Sequence, residues 1–222
     1  VGSCVLMLSV LPVLCGLRVA PRLDRREKHA FGRFLFLVPA ATGAALLFGT
    51  IESGAFAMLP VYGQRVGHSR ETVILLGIAV TIGNILLQMP MGMLSDRMDR
   101  RKLLAFIATF GLLGAGVLPL VADSFWPLMI ALAVWGGVIG SLYTVGLAHL
   151  GSRFRGADLA AANAAFIFCY SLGGLIGPAT LGVAMDVWDP HGFAVGFGLF
   201  FAGYLLMLII RMGRARRAQN HS

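Results

Sequence analysis

Seven long apolar stretches separated by short polar connections constrain this chain more than any other feature. They occupy residues 2–17, 34–62, 73–94, 103–121, 125–150, 159–185 and 192–210. Crossing a hydrocarbon core of about 30 Å takes about 20 apolar residues in helical form, so the pattern predicts seven crossings, the first of them short. Helices are expected because a span must satisfy its own backbone hydrogen bonds away from water. Composition agrees. With 58% hydrophobic and 13% charged residues and a mean hydropathy of +0.82, the chain carries more apolar surface than a water-soluble fold of 222 residues can bury. The expected class is an all-α integral membrane protein embedded in the lipid bilayer.

A net charge of +8 could point to nucleic acid, but the placement of the cations gives a different reason for it. One set of alternate connections holds Arg18, Arg22, Arg25, Arg26, Lys28 and Arg33, then Arg97, Arg100, Arg101 and Lys102, then Arg153 and Arg155, then Arg211, Arg214, Arg216 and Arg217. The other set holds only Arg65 and Arg70, a division of 16 against 2. Short loops rich in Lys and Arg stay on the cytoplasmic side, so the N-terminus is expected outside and the C-terminus in the cytoplasm. No nucleic-acid partner is expected. Cys4, Cys15 and Cys169 lie in apolar runs without C-x-x-C spacing, which predicts neither a disulfide framework nor a metal site.

The longest polar connection, residues 19–33, reads as a cytoplasmic linker between the end of a preceding transmembrane helix (1–18) and a six-helix bundle (34–210), with a basic tail at 211–222. The chain starts at Val1 with a short first span, as the later part of a longer protein would. Within the bundle, three helices are followed by three of similar length and glycine content. An odd number of crossings per unit forces the second unit to insert upside down, giving a 3+3 inverted repeat.

The densest charge cluster between two spans is Gly92-Met93-Leu94-Ser95-Asp96-Arg97-Met98-Asp99-Arg100-Arg101-Lys102. Cations at a helix start oppose the helix dipole, so Asp96 and Asp99 are expected to offset Arg100, Arg101 and Lys102, with lipid phosphates as a second possibility. Gly92 permits close approach of a neighbouring backbone. Together these residues describe a charged latch at the basic face, a candidate gating element.

This run resembles the signature of the major facilitator superfamily, G-x-L-[AS]-D-[RK]-x-G-[RK]-[RK], with Gly92, Leu94, Ser95, Asp96, Arg97, Arg100 and Arg101 on matching positions. Asp99 stands where the family has glycine, a departure at the turn that also adds a carboxylate. The stretch from Glu52-Ser53-Gly54 to Pro60-Val61-Tyr62-Gly63 is similar to the YcaD-like group of bacterial transporters. The resemblance implies a secondary transporter of the bacterial inner membrane. The chain would supply the end of helix 6, the central loop and helices 7 to 12, with an N-terminal six-helix half as its partner. It further implies a small-molecule substrate, driven by protons, and docking of Asp96 on a helix of that other half.

Candidate cavity residues follow from polarity at depth. Glu52 is the one acidic residue well inside an apolar run, about 6 Å beyond the midpoint of 34–62 at about 1.5 Å per residue. A carboxylate there costs several kcal/mol unless it faces a cavity or partner. It is read either as a protonatable coupling site or as a neutral, hydrogen-bonded group near a helix break at Gly54 and Pro60. Ala45, Phe48, Gly49, Ala55, Phe56 and Leu59 share its face.

On the next helix Gly77, Thr81, Asn84, Gln88, Gly92 and Ser95 form one small, polar stripe at steps of three and four. The stripe suits a transport path, with Asn84 and Gln88 deepest, and equally a close helix contact. Tyr143 and Tyr170 are candidate cavity aromatics. His149 and Asn163 are expected at a solvated interface, Asp158 as a helix N-cap, and Trp126 and Trp188 as interfacial anchors.

A seven-helix receptor or another non-transporting membrane protein is the rival class. Asp96-Arg97 ends a third helix as a receptor D-R-Y does, but residue 98 is Met and the last span has no N-P-x-x-Y. Retinal binding is excluded because Lys28 and Lys102, the only lysines, lie in connections. An intramembrane serine protease lacks its G-x-S-G element, since Leu142 follows Gly140-Ser141. Without a G-x-x-x-x-G-K-[ST] loop, no nucleotide cofactor is expected, nor any other.

Overall fold

The computed structural model describes residues 31–219. They form one short helix, α1 (Phe31–Leu37), and six long ones: α2 (Pro39–Arg65), α3 (Arg70–Arg97), α4 (Arg100–Val121), α5 (Phe125–Gly151), α6 (Gly156–Val187) and α7 (Gly192–Gln219). All six long helices are long and apolar enough to cross a membrane, and no strand occurs among the described residues. The expected first crossing at 2–17, with Cys4 and Cys15, and the linker up to residue 30 lie outside the described residues.

Several boundaries differ from those expected. The run 34–62 is not one helix, because α1 ends at Leu37 and α2 begins at Pro39. Proline has no N–H and keeps the preceding residue out of the helical region, and Val38 accordingly sits at φ −128° and ψ 62°. The Thr42 hydroxyl donates to the Leu35 carbonyl at 3.0 Å, satisfying an acceptor at the end of α1. The linker reading is also cut short, since residues 31–33 already belong to α1. At the other end α7 does not stop at Ile210 but continues to Gln219.

Connections between the long helices are two to four residues long, which keeps consecutive helices antiparallel. Ser69 caps α3 by accepting from the Thr72 N–H at 3.2 Å. Asp158 is not the N-cap of α6: the helix starts at Gly156, leaving Asp158 in its first turn, where a carboxylate still complements the dipole.

The bundle has the two-fold organisation of a 3+3 repeat. Superposing α2-α3-α4 on α5-α6-α7 exchanges the pairs α2·α6 and α3·α5, and these are the two most extensive helix contacts in the bundle. Burial matches in the same way. The buried share is 50% and 61% for the apolar windows of α2 and α5, 22% for both α3 and α6, and 33% and 39% for α4 and α7.

Both extensive pairs depend on glycine at the crossing. A Cβ on Gly83 would strike the Ala133 backbone carbonyl of α5, and one on Gly173 would strike the Leu46 carbonyl of α2. Aromatic packing fills the remaining core, with Tyr62 stacked on Phe193 at 4.5 Å and Trp135 against Phe197 at 5.2 Å. At the end of the bundle opposite the signature, Arg65 ties α2 to the end of α6. It donates to Asp186 at 3.2 Å and to both Asp189 and the Met185 carbonyl at 3.0 and 3.1 Å.

Candidate functional site

The break at Val38 moves Glu52 from its expected off-centre depth to the central residue of α2. The helix runs unbroken through Gly54 and Pro60, so the carboxylate does not sit beside a helix break. It faces a cavity of about 190 Å³ walled by α2, α3 and α5. Phe48, Ile51, Ala55, Phe56 and Leu59 extend the α2 wall, Gly77, Val80, Thr81, Asn84 and Ile85 form the α3 wall, and Trp135, Gly136 and Ile139 close it from α5.

Glu52 has one strong partner. The Tyr170 hydroxyl of α6 donates to its Oε2 at 2.6 Å, within the range of a charge-assisted O–H···O⁻ bond. Tyr170 in turn stacks on Phe48 at 6.0 Å, and Tyr143 meets both rings, at 5.9 Å from Phe48 and 5.6 Å from Tyr170. Tyr143 and Tyr170 therefore do not line the cavity. They stand behind its wall, packed on the wall residue Phe48, and Tyr170 orients the carboxylate.

The stripe on α3 divides by depth. Gly77, Thr81 and Asn84 face the cavity, whereas Gln88 lies beyond it, exposed, and donates its amide to Asn84 Oδ1 at 2.8 Å. Asn84 packs on Gly140 of α5, where a Cβ would collide with its amide. The closest backbone approach of α3 to α5 is at Gly83, off the stripe. Gly77 and Gly92 have no neighbour within van der Waals reach of a Cβ among the described residues.

Trp135 is the wall residue that sequence reasoning missed. Its indole N–H donates to the Gly111 carbonyl at 3.0 Å, pinning α5 to α4 where the side chain lines the cavity. A tryptophan at mid-span, away from the helix ends where Trp126 and Trp188 lie exposed, was the available signal. Apolar wall residues such as Ile51 and Ile139 carry none.

At the basic face, α3 ends at Arg97 and α4 starts at Arg100, with only Met98 and Asp99 between them. Asp99 is the N-cap of α4: one carboxylate oxygen accepts from the Arg101 and Lys102 N–H groups at 2.9 and 3.2 Å. Its φ of −60° is open to any residue, so replacing glycine there leaves the turn intact. Asp96 approaches Arg100 at 3.9 Å across one turn and is 78% exposed, a pair worth a few tenths of a kcal/mol. His149 corrects an expectation: far from solvated, it is 6% exposed, and its Nε2 has no hydrogen-bond partner among the described residues.

Six antiparallel spans in two inverted three-helix units, with a mid-span carboxylate facing a cavity, define a multi-pass all-α membrane protein. The family model of the Major Facilitator Superfamily matches residues 4–222, and the chain belongs to that superfamily. It is 29% identical over 169 residues to an uncharacterized MFS-type transporter, YfkF, of Bacillus subtilis (strain 168), covering 73% of this chain and 41% of the relative. Uncharacterized MFS-type transporters named YcaD, from Salmonella typhi and Salmonella newport (strain SL254), are 23% identical over 218 residues, covering 97% of this chain and 56% of theirs. The chain thus spans about half the length of the curated relatives it matches. Membership favours a transporter over the receptor alternative and over an enzyme.

Proposed function

We propose that this chain forms the C-terminal half of a proton-coupled secondary transporter, placed in a bacterial inner membrane with its basic face cytoplasmic, working by alternating access. The observation that carries the reading is the Glu52–Tyr170 bond at the edge of the cavity. An ionised Glu52 accepts from Tyr170 and holds α6 to the centre of α2. A protonated one loses the charge that makes this bond strong. Proton loading is thereby linked to the most extensive helix contact in the bundle, which is the relation coupling requires.

The cavity lining supports an amphipathic substrate over a sugar-like one. Its walls are aliphatic and aromatic, with Glu52, Thr81 and Asn84 the only polar side chains among the lining residues, whereas a sugar needs a polar group for most of its hydroxyls. The direction we infer is efflux. The exposed apolar faces of α3 and α6, with Ile78, Ile85, Leu172 and Leu175 among them, support an N-terminal six-helix half as the partner that completes the path, with Asp96 free to dock on it.

The test is Glu52→Gln in proteoliposomes holding this chain together with its N-terminal half. Gln keeps the shape and an acceptor but cannot titrate. Proton-driven flux should fall to background while binding of a fluorescent amphipathic cation persists. Flux with unchanged dependence on the pH gradient would sink the coupling role.

A further inference from the structure

A second cavity, of about 180 Å³, lies at the basic face. It is built from the α1–α2 junction, the start of α4, the end of α5 and the last part of α7. Arg101, His149, Arg153 and Arg211 supply its polar groups, and Pro39 and Ala40 place the N-terminal turn of α2 against it. Drug-sized ligands occupy pockets of about 300–1,000 Å³, so this one fits a small ion or a headgroup.

Three observations mark it as a binding site rather than a solvated basic rim. His149 is more than nine-tenths buried, yet its Nε2 is without a partner among the described residues. A buried imidazole nitrogen left unpaired keeps its desolvation penalty uncompensated, which a ligand would relieve. Next, three guanidinium groups converge with little countercharge. Desolvation first, then the charge of Arg101, holds the Arg153 pKa below the ordinary arginine value, with Asp99 pulling the other way. Asp99 is itself engaged in capping α4. Finally, the long helix α2 points its positive dipole end at the cavity; Pro39 has no N–H and the Ala41 and Thr42 N–H groups donate to the Val38 carbonyl, which leaves the Ala40 N–H as the first-turn donor open to a ligand. The carbonyls at the opposing end of α5 are occupied: Ser152 N–H donates to Ala148, Arg153 and Phe154 N–H donate to Leu150, and the Ser152 hydroxyl donates to His149.

We propose that this pocket binds a phosphate group, held by Arg101, Arg153 and Arg211 from its rim and by His149 from its floor. Arginine forks match the oxygens of phosphate in a way that a chloride ion does not exploit. Two sources share the chemistry, inorganic phosphate and the headgroup of an anionic lipid. The site is separate from the Glu52 cavity and does not depend on the coupling reading.

The test uses the purified full chain in uncharged detergent and reads the thermal unfolding midpoint. One arm titrates inorganic phosphate against chloride at matched ionic strength. The other adds phosphatidylglycerol to the micelles, with phosphatidylcholine as the zwitterionic control. A rise in midpoint with phosphate alone assigns a soluble anion, and a rise with phosphatidylglycerol assigns a lipid headgroup; either supports the site. Arg153→Gln and His149→Phe should each weaken the apparent affinity about tenfold. Arg155→Gln removes the same charge from an exposed residue outside the pocket and should leave affinity unchanged. If His149→Phe fails to fold, Arg211→Gln, on the exposed side of α7, replaces it. No midpoint rise in either arm, or a rise that Arg155→Gln weakens as much as Arg153→Gln does, overturns the proposal.

Discussion

At the residue scale, Asp99 shows how a departure from a signature is explained by local geometry. The family's glycine and this chain's aspartate share one property: both are favoured at a helix N-cap, whereas alanine is not. The turn between α3 and α4 uses negative φ at this position, so glycine's conformational freedom is not required. Asp99→Ala should therefore cost about 1 kcal/mol locally, and Asp99→Gly only a few tenths. Amide hydrogen exchange resolves the difference. The Arg101 and Lys102 amides should exchange about fivefold faster in Asp99→Ala, with the middle of α4 unaffected. Equal exchange in the alanine and wild-type chains would mean that the cap seen here contributes nothing. Glu52 was legible in the sequence as an expensive carboxylate at depth. Tyr170, 118 positions away in sequence, appeared there only as a candidate cavity aromatic, because nothing local specifies which tyrosine a carboxylate will find across a helix crossing.

At the scale of elements, hydropathy located the spans well and placed their ends poorly. The reason lies in what each depends on. A span is set by summed apolar area, whereas the division of 34–62 into α1 and α2 follows from one proline's effect on Val38. Which glycines carry helix crossings was also hidden. The α3 stripe combined Gly77 and Gly92, which face open space, and omitted Gly83, whose Cα lies against α5. A periodic pattern identifies a face without saying what covers it. The two symmetric crossings should therefore be the sensitive ones. Gly83→Leu and Gly173→Leu each drive a side chain into backbone of the partner helix, which cannot swing aside as a flexible side chain does. Each should lower the thermal midpoint in detergent far more than Gly77→Leu, whose added atoms enter the cavity. Similar midpoints for all three variants would remove the glycine contacts as the basis of the α2·α6 and α3·α5 pairs.

At the scale of the whole molecule, symmetry leaves α3 and α6 as the least buried members of their units, each with a broad apolar face. Lipid alone would satisfy such a surface, but the same two helices carry Asn84 and the Tyr170 that holds Glu52, so under the proposed function the apolar faces flank the transport path. A path through a membrane needs walls on both sides, and the described helices provide those of one side only. The inference is that the Glu52 cavity becomes a closed, alternately opening site when a second six-helix unit covers α3 and α6. Alternating access then amounts to rocking one inverted-repeat bundle against the other about that site. In liposomes with an imposed pH gradient, this chain alone should fold, as judged by its helical circular dichroism, and give no gradient-driven efflux of an amphipathic fluorophore. Supplying an N-terminal six-helix unit in the same membrane should restore flux, and Ile85→Arg on the exposed face of α3 should abolish it again by burying an unpaired charge at the interface. Flux from the single chain, persisting when Ile85→Arg prevents two copies from pairing through that face, would show that the second wall is not required.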